Sequence, residues 1–257
     1  MEATAAPKPT PTPTPTAPGN PGLDQAQLDA QLREAAWAND VEAAGRLIAW
    51  GANVNAKDGT MQSPYLIATS EGYVEFLRLT LAHGANVKDL DSWNGTGLIR
   101  AAERGHWEVI GELIQAGVPL DHVNRVGYQA IHEAVWFGRD DASYHATVRV
   151  LVAGGVQFNV PSVNEGLTPA QMAASKGFPE QSAVLAALTQ APLPADPAAA
   201  LLAAAKSGDA NAAALALRAR ANPDLQDSDG KTPLEIAEAA GNVQVAQLVR
   251  ALCTACR

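Results

Sequence analysis

The residues of this chain that are able to do chemistry are few, and their spacing keeps them apart. Five histidines, His83, His106, His122, His132 and His145, are spread over the sequence with no neighbouring cysteine and no paired-His spacing. A metal site needs several ligands converging on one point, so each histidine reads as a structural or solvated side chain. The two cysteines form Cys253-Thr254-Ala255-Cys256 at the C-terminal end. A redox pair of that spacing works where a helix N-terminus lowers a thiol pKa, and this one follows an expected helix. Structural zinc requires four ligands. An exposed end and a local disulfide are the readings that remain open. There is no Gly-rich phosphate loop, no His-Glu-x-x-His and no nucleophile elbow. No catalytic, metal-ligating or cofactor-binding residue is assigned, and no cofactor is expected.

Binding chemistry is better represented. Aromatic residues make up 5% of the chain, and five of them are Trp. Trp, Tyr and Arg carry much of the energy of protein interfaces because they bury large areas with few rotatable bonds. A formal net charge of −9 argues against nucleic acid and anionic membranes, both of which need a basic surface. No apolar run is long enough to span a bilayer, so direct membrane insertion is not expected.

The elements that must position these side chains repeat. Asn39, Gly72, Gly105 and Gly138 are 33 residues apart each time (72−39, 105−72, 138−105), and Gly177, Gly208 and Gly241 continue the series at 39, 31 and 33. Gly51, Gly84 and Gly117 step by 33 in a second register. Two in-phase markers predict about seven copies of one helix-turn-helix unit. Gly, or Asn at position 39, supplies the left-handed backbone that a tight inter-helix turn needs. Small pairs such as Ala101-Ala102 and Ala173-Ala174 sit on the first helices, and apolar faces such as Val109, Ile110 and Leu113 on the second. One unit cannot bury such a face alone, so stability is expected from neighbouring units.

One unit opens Ser63-Pro64-Tyr65-Leu66 and closes Gly84-Ala85-Asn86-Val87; other openings are Thr168-Pro169-Ala170-Gln171 and Thr232-Pro233-Leu234-Glu235. Thr96-Gly97-Leu98-Ile99 and Gln129-Ala130-Ile131-His132 are weaker copies. A Ser or Thr oxygen caps the first helix, and Pro suits its first turn. The sequence resembles the ankyrin repeat, with drift from its Thr-Pro-Leu-His opening and Gly-Ala-Asp-Val-Asn close. That resemblance implies an all-α fold, an ankyrin-repeat solenoid of stacked helix-turn-helix units joined by finger-like turns, and a non-catalytic, monomeric protein. His106 and His132 fall where such units often carry His.

Composition divides the chain further. Residues 1–22, rich in Pro and Thr, read as an extended, disordered spacer. Units one to five follow over 23–190, a Pro-rich linker over 191–197, and units six and seven with the C-terminal end over 198–257. The linker either distorts one continuous stack or splits it into five units and two. The segment Arg139 to His145 makes this unit about five residues longer there than the others, and is expected to emerge as a loop or a helix extension; a similar insertion occurs in some bacterial ankyrin proteins. The spacer resembles those after bacterial export signals, which suggests a periplasmic or cell-surface protein, with the cytoplasm as the alternative.

In the ankyrin family the turn tips and first helices line a concave surface that contacts partners, including the two residues before the inter-helix Gly. Carried over, that rule gives the pairs Trp37-Ala38, Ser70-Glu71, Glu103-Arg104, Trp136-Phe137, Ser175-Lys176, Lys206-Ser207 and Ala239-Ala240, from which Trp37, Glu103, Arg104, Trp136 and Phe137 are the candidates. Trp93 stands on a turn tip and Arg100 lies between. The expected patch is Trp93, Trp136 and Phe137 around Arg100, Glu103 and Arg104, with Trp37 at one flank; packing of the rings on neighbouring units is the competing reading. Trp107 is expected in the core. The implied function is an adaptor or scaffold binding another protein through its concave face. The alternatives are a dedicated regulator, inhibitor or immunity-type protein of one enzyme or toxin and, more remotely, a small-molecule binder or enzyme.

Overall fold

The computed structural model describes residues 19–256, so the Pro/Thr spacer expected over 1–22 lies, up to residue 18, outside the described residues. Among the described residues fourteen helices pair in chain order: α1 (Gln25–Trp37) with α2 (Val41–Ala49), α3 (Pro64–Glu71) with α4 (Val74–Ala82), α5 (Gly97–Glu103) with α6 (Trp107–Gln115), α7 (Ala130–Trp136) with α8 (Ala142–Gly154), α9 (Pro169–Ser175) with α10 (Pro179–Gln190), α11 (Pro197–Ser207) with α12 (Ala210–Arg218), and α13 (Pro233–Ala239) with α14 (Val243–Leu252). The fold is an all-α solenoid of helix-turn-helix units.

Local chemistry explains the boundaries. Ser63, Thr96, Thr168 and Thr232 each accept the backbone N–H three residues on, at 3.3, 3.4, 3.3 and 3.2 Å. These bonds satisfy donors that a helix start leaves unpaired. Between the helices of a unit, Asn39 (φ 53°), Gly72 (79°), Gly105 (75°), Gly177 (71°), Gly208 (82°) and Gly241 (71°) are left-handed. Gly138 is not, contrary to the expectation from its spacing. A Cβ there would lie 1.9 Å from the Ala134 carbonyl oxygen and 2.7 Å from the Tyr144 ring, so this glycine serves close approach.

The extra residues near 140 lengthen α8 to 13 residues, against nine in α4 and α6. Asp141 caps the added turn through the N–H groups of Ser143 and Tyr144. The Tyr144 hydroxyl donates to the Glu103 carbonyl at 3.0 Å and Ser143 Oγ to that of Gly105 at 2.8 Å. Asp140 accepts the N–H groups of Glu180 and Gln181, at 3.0 and 2.8 Å, and so caps α10 of the next unit. The extension ties units three, four and five together.

The first helices α1, α3, α5, α7 and α9 stack in order, and α2, α4, α6, α8 and α10 form the second layer. Beyond Ala191 the order changes. The helix α11 stacks on α13 and α12 on α14, but α12 lies across α8, and α14 lies across both α6 and α8. The last two units therefore fold back onto the second-helix face of units three and four. Gln115 Nε2 donates to the Ala251 carbonyl at 2.9 Å, Arg149 Nε to Asn211 Oδ1 at 2.8 Å, and Arg218 Nη1 to the Val152 and Val156 carbonyls at 2.9 and 2.8 Å. The last of these brings a cation to the C-terminal end of α8, where the helix dipole favours one.

Candidate functional site

The turn Asp91-Ser92-Trp93-Asn94-Gly95 is organised by a buried aspartate. Asp91 Oδ1 accepts the N–H groups of Trp93 and Gly95, both at 2.8 Å, and Asn94 is left-handed at φ 62°. An Asx turn of this kind fixes the backbone locally, and here it holds the Trp93 side chain 58% exposed at the finger tip. The same device recurs at Asp58 and Asn124, each 33 residues from Asp91, and at Asp227.

From α5, Arg100 reaches Asp91 with Nε at 3.4 Å and Glu103 with Nη1 at 2.6 Å. From α7 comes Glu133, 4% exposed. Its Oε1 accepts from Asn124 Nδ2 at 2.5 Å, and its Oε2 has no hydrogen-bond partner. Burial pushes the Glu133 carboxyl up to about 7; the charges of Glu103 and Asp91 add to the rise, while the Asn124 hydrogen bond and Arg100 oppose it. Phe137, one turn beyond Glu133, is 53% exposed. Trp93, Ile99, Arg100, Glu103, Glu133 and Phe137 line a common cavity of about 180 Å³.

Four of the seven residues selected from sequence, Trp93, Arg100, Glu103 and Phe137, thus meet at one cavity. The other three stand apart from it. Trp136 is half-buried, with its ring centroid 5.9 Å from that of Tyr128 and Lys176 Nζ 5.1 Å from its centroid. Arg104 pairs with Glu71 of the preceding unit at 2.6 Å. Trp37, 50% exposed, lies on α1, two units from α5. Trp107, expected in the core, is half-buried and lines a cleft with Arg250 and Ala251 of α14. Asp91, Asn124 and Glu133 were not selected from sequence. The 33-residue step from Asp58 through Asp91 to Asn124 was a signal for the first two.

Four histidines bridge segments of the array. His132 Nδ1 accepts the Gln129 N–H at 3.2 Å, which leaves Nε2 to donate to the Val160 carbonyl at 2.9 Å. His106 meets the Ser70 carbonyl at 3.1 Å, His122 that of Asn94 at 2.7 Å, and His145 the Asp140 carboxylate at 2.7 Å. Burial lowers the pKa of His106 and His132, so both rings are neutral at pH 7. Cys253 and Cys256 form a disulfide with Cα atoms 5.5 Å apart. Asp224 holds that end of the chain by accepting from the N–H groups of Thr254 and Ala255, each at 3.2 Å.

Known proteins share this architecture. The structure superposes on an ankyrin repeat domain of Acinetobacter baumannii AYE with a TM-score of 0.57 and 43% identity, covering 60% of this chain and 79% of that one. The chain belongs to the ankyrin repeat family. The ankyrin repeat protein EF0377 superposes with a TM-score of 0.60 at 31% identity, covering 65% of this chain and 86% of its own. The ankyrin repeat protein YahD of Escherichia coli (strain K12) is 28% identical over 142 residues, 55% of this chain and 70% of YahD. A family model described as ankyrin repeats in three copies matches residues 66–160. Ankyrin repeats are in general protein-protein interaction modules, and the family is typically non-catalytic. No helix among the described residues is long and apolar enough to cross a membrane.

Proposed function

We propose that this ankyrin repeat protein is a non-catalytic adaptor that recognises another protein through its first-helix face, with the Trp93 to Phe137 cavity as the energetic centre. One observation carries the reading. Two aromatic side chains more than half exposed flank a cavity with a buried carboxylate at its wall, on the face that the described residues leave uncovered. Exposed large apolar groups beside a concave polar site are the usual anatomy of an interface centre.

The fold-back supports the same choice of face. Helices α12 and α14 already occupy the second helices of units three and four. The test is affinity capture from the source organism's extract with the wild-type chain and with Trp93→Ala/Phe137→Ala. A protein retained by the wild type and lost by a variant with unchanged melting supports the reading. Equal retention by both chains would move the site elsewhere.

A further inference from the structure

Resting on the first-helix-face reading above, we propose that the cavity between Trp93 and Phe137 receives a lysine or arginine side chain of the partner, with its cationic head on Glu133 Oε2. The charge balance of the lining points to a cation. Asp91, Glu103 and Glu133 bring three carboxyl groups, and Arg100 is the one guanidinium among them. Arg100 is already engaged, at 3.4 Å from Asp91 and 2.6 Å from Glu103, and forms no ion pair with Glu133. Asp91 Oδ1 is committed to the Trp93 and Gly95 N–H groups. Among these carboxyl groups, Glu133 Oε2 is the buried acceptor left without a donor, on a side chain 4% exposed.

A buried acceptor without a donor costs free energy, and a charged N–H donor is the partner that recovers most of it. The rim suits the rest of such a side chain. Trp93 and Phe137 present ring surface to a methylene stem, and aromatic faces attract cations. A volume of about 180 Å³ holds one long side chain and falls below the roughly 300 Å³ at which small-molecule sites begin. The three carboxyl groups turn away an anion.

Binding depends on pH through Glu133, because a cation is held by the carboxylate and not by the acid. The groups that face it are Asp91, Arg100 and Glu103, with the Asn124 amide on Oε1. Glu133 titrates at about 7, so binding strengthens as pH rises through neutrality and levels off above it.

The test titrates n-butylammonium chloride into the ¹⁵N-labelled full chain at pH 8 and pH 5.5, reading the Trp93 indole N–H, with n-butanol as the neutral control. The expected result is a saturable shift at pH 8 that is about ten-fold weaker at pH 5.5 and in Glu133→Gln, and is absent with n-butanol. No saturable shift, an equal response to n-butanol, or unchanged affinity in a Glu133→Gln chain that melts normally would overturn the proposal.

Peptides selected from a displayed random library separate its failure from that of the underlying reading. Selected peptides should lose about ten-fold or more in affinity when one lysine or arginine becomes glutamine, and should lose binding to Trp93→Ala. Peptides that need Trp93 and Phe137 but no cation would sink this proposal and leave the first-helix-face reading standing. If Trp93→Ala alters neither the peptide nor the n-butylammonium response, both fail.

Discussion

Along α8 every residue from Tyr144 to Ala153 is buried, whereas at the end of α7, in the same unit, Phe137 stands more than half exposed. The two helices are neighbours in one ankyrin unit, and they differ in what covers them. A second helix normally keeps a polar outer face, as α4 does with Glu75 and Arg78. The helix α8 has α6 and α10 beside it, α7 beneath it, and α12 and α14 across it. Among the described residues, the chain supplies a partner for its second-helix face and none for its first-helix face. A repeat array can thus direct binding to one surface by covering the other with its own last units.

The largest effect should come from breaking that cover. A Cβ on Gly111 would lie 2.2 Å from the Ala251 carbonyl oxygen, which is backbone and cannot turn aside. Gly111→Val is expected to destabilise by about 3 kcal/mol in denaturant unfolding, because overpacking here outweighs the gain in helix propensity. Unchanged stability would mean that α14 does not rest on α6. Arg218→Ala removes the donor from the Val152 and Val156 carbonyls and the guanidinium 4.9 Å from the Phe158 ring, and should cost about 2 kcal/mol. The same substitution should leave binding at the Trp93 cavity unaltered, which sharpens the contrast between the two faces.

On the open face the effects on stability are smaller. Glu133 has a folded-state pKa of about 7, above the roughly 4.3 of an unfolded glutamate. The stability that its protonation provides is present below about pH 4 and is lost as pH rises through 7. Glu133→Gln should therefore match the wild type at pH 4 and exceed it at pH 8 in thermal or chemical unfolding. Equal pH profiles would show that the carboxyl is solvated. Trp136→Ala should cost about 1 kcal/mol, and Trp93→Ala less than about 0.5, since a side chain exposed at a finger tip contributes little to folding. A larger loss at Trp93 would place its ring in the core.

Much of this architecture is legible in the sequence, because its causes are local. The 33-residue step, the Ser and Thr caps and the left-handed Asn and Gly positions each follow from a few adjacent residues. The fold-back is not local, yet two residue patterns announce it. The run Ala146-Thr147-Val148-Arg149-Val150-Leu151-Val152-Ala153 is apolar on nearly all sides, as suits a helix buried all round, and Gly111 interrupts a second helix where another backbone comes close.

The candidate site was legible in part. Exposure of Trp93 and Phe137 follows from their slots in the unit, while Trp136 departs from the slot rule where the extended α8 reshapes the turn at Gly138. The free oxygen of Glu133 depends on where Asn124 and Arg100 point, which only the packed structure fixes.

The direct test is a distance between the two layers that the fold-back joins. Glu108 and Arg250 line the same cleft, so spin labels at Glu108→Cys and Arg250→Cys should give a single distance below roughly 25 Å by pulsed electron resonance. In a continuous stack, unit seven lies four units from unit three, and helix spacings of 8–10 Å put the same labels roughly 30–40 Å apart. The short distance is the prediction. The long one would uncover the second-helix face and contradict the contrast on which the choice of binding surface rests.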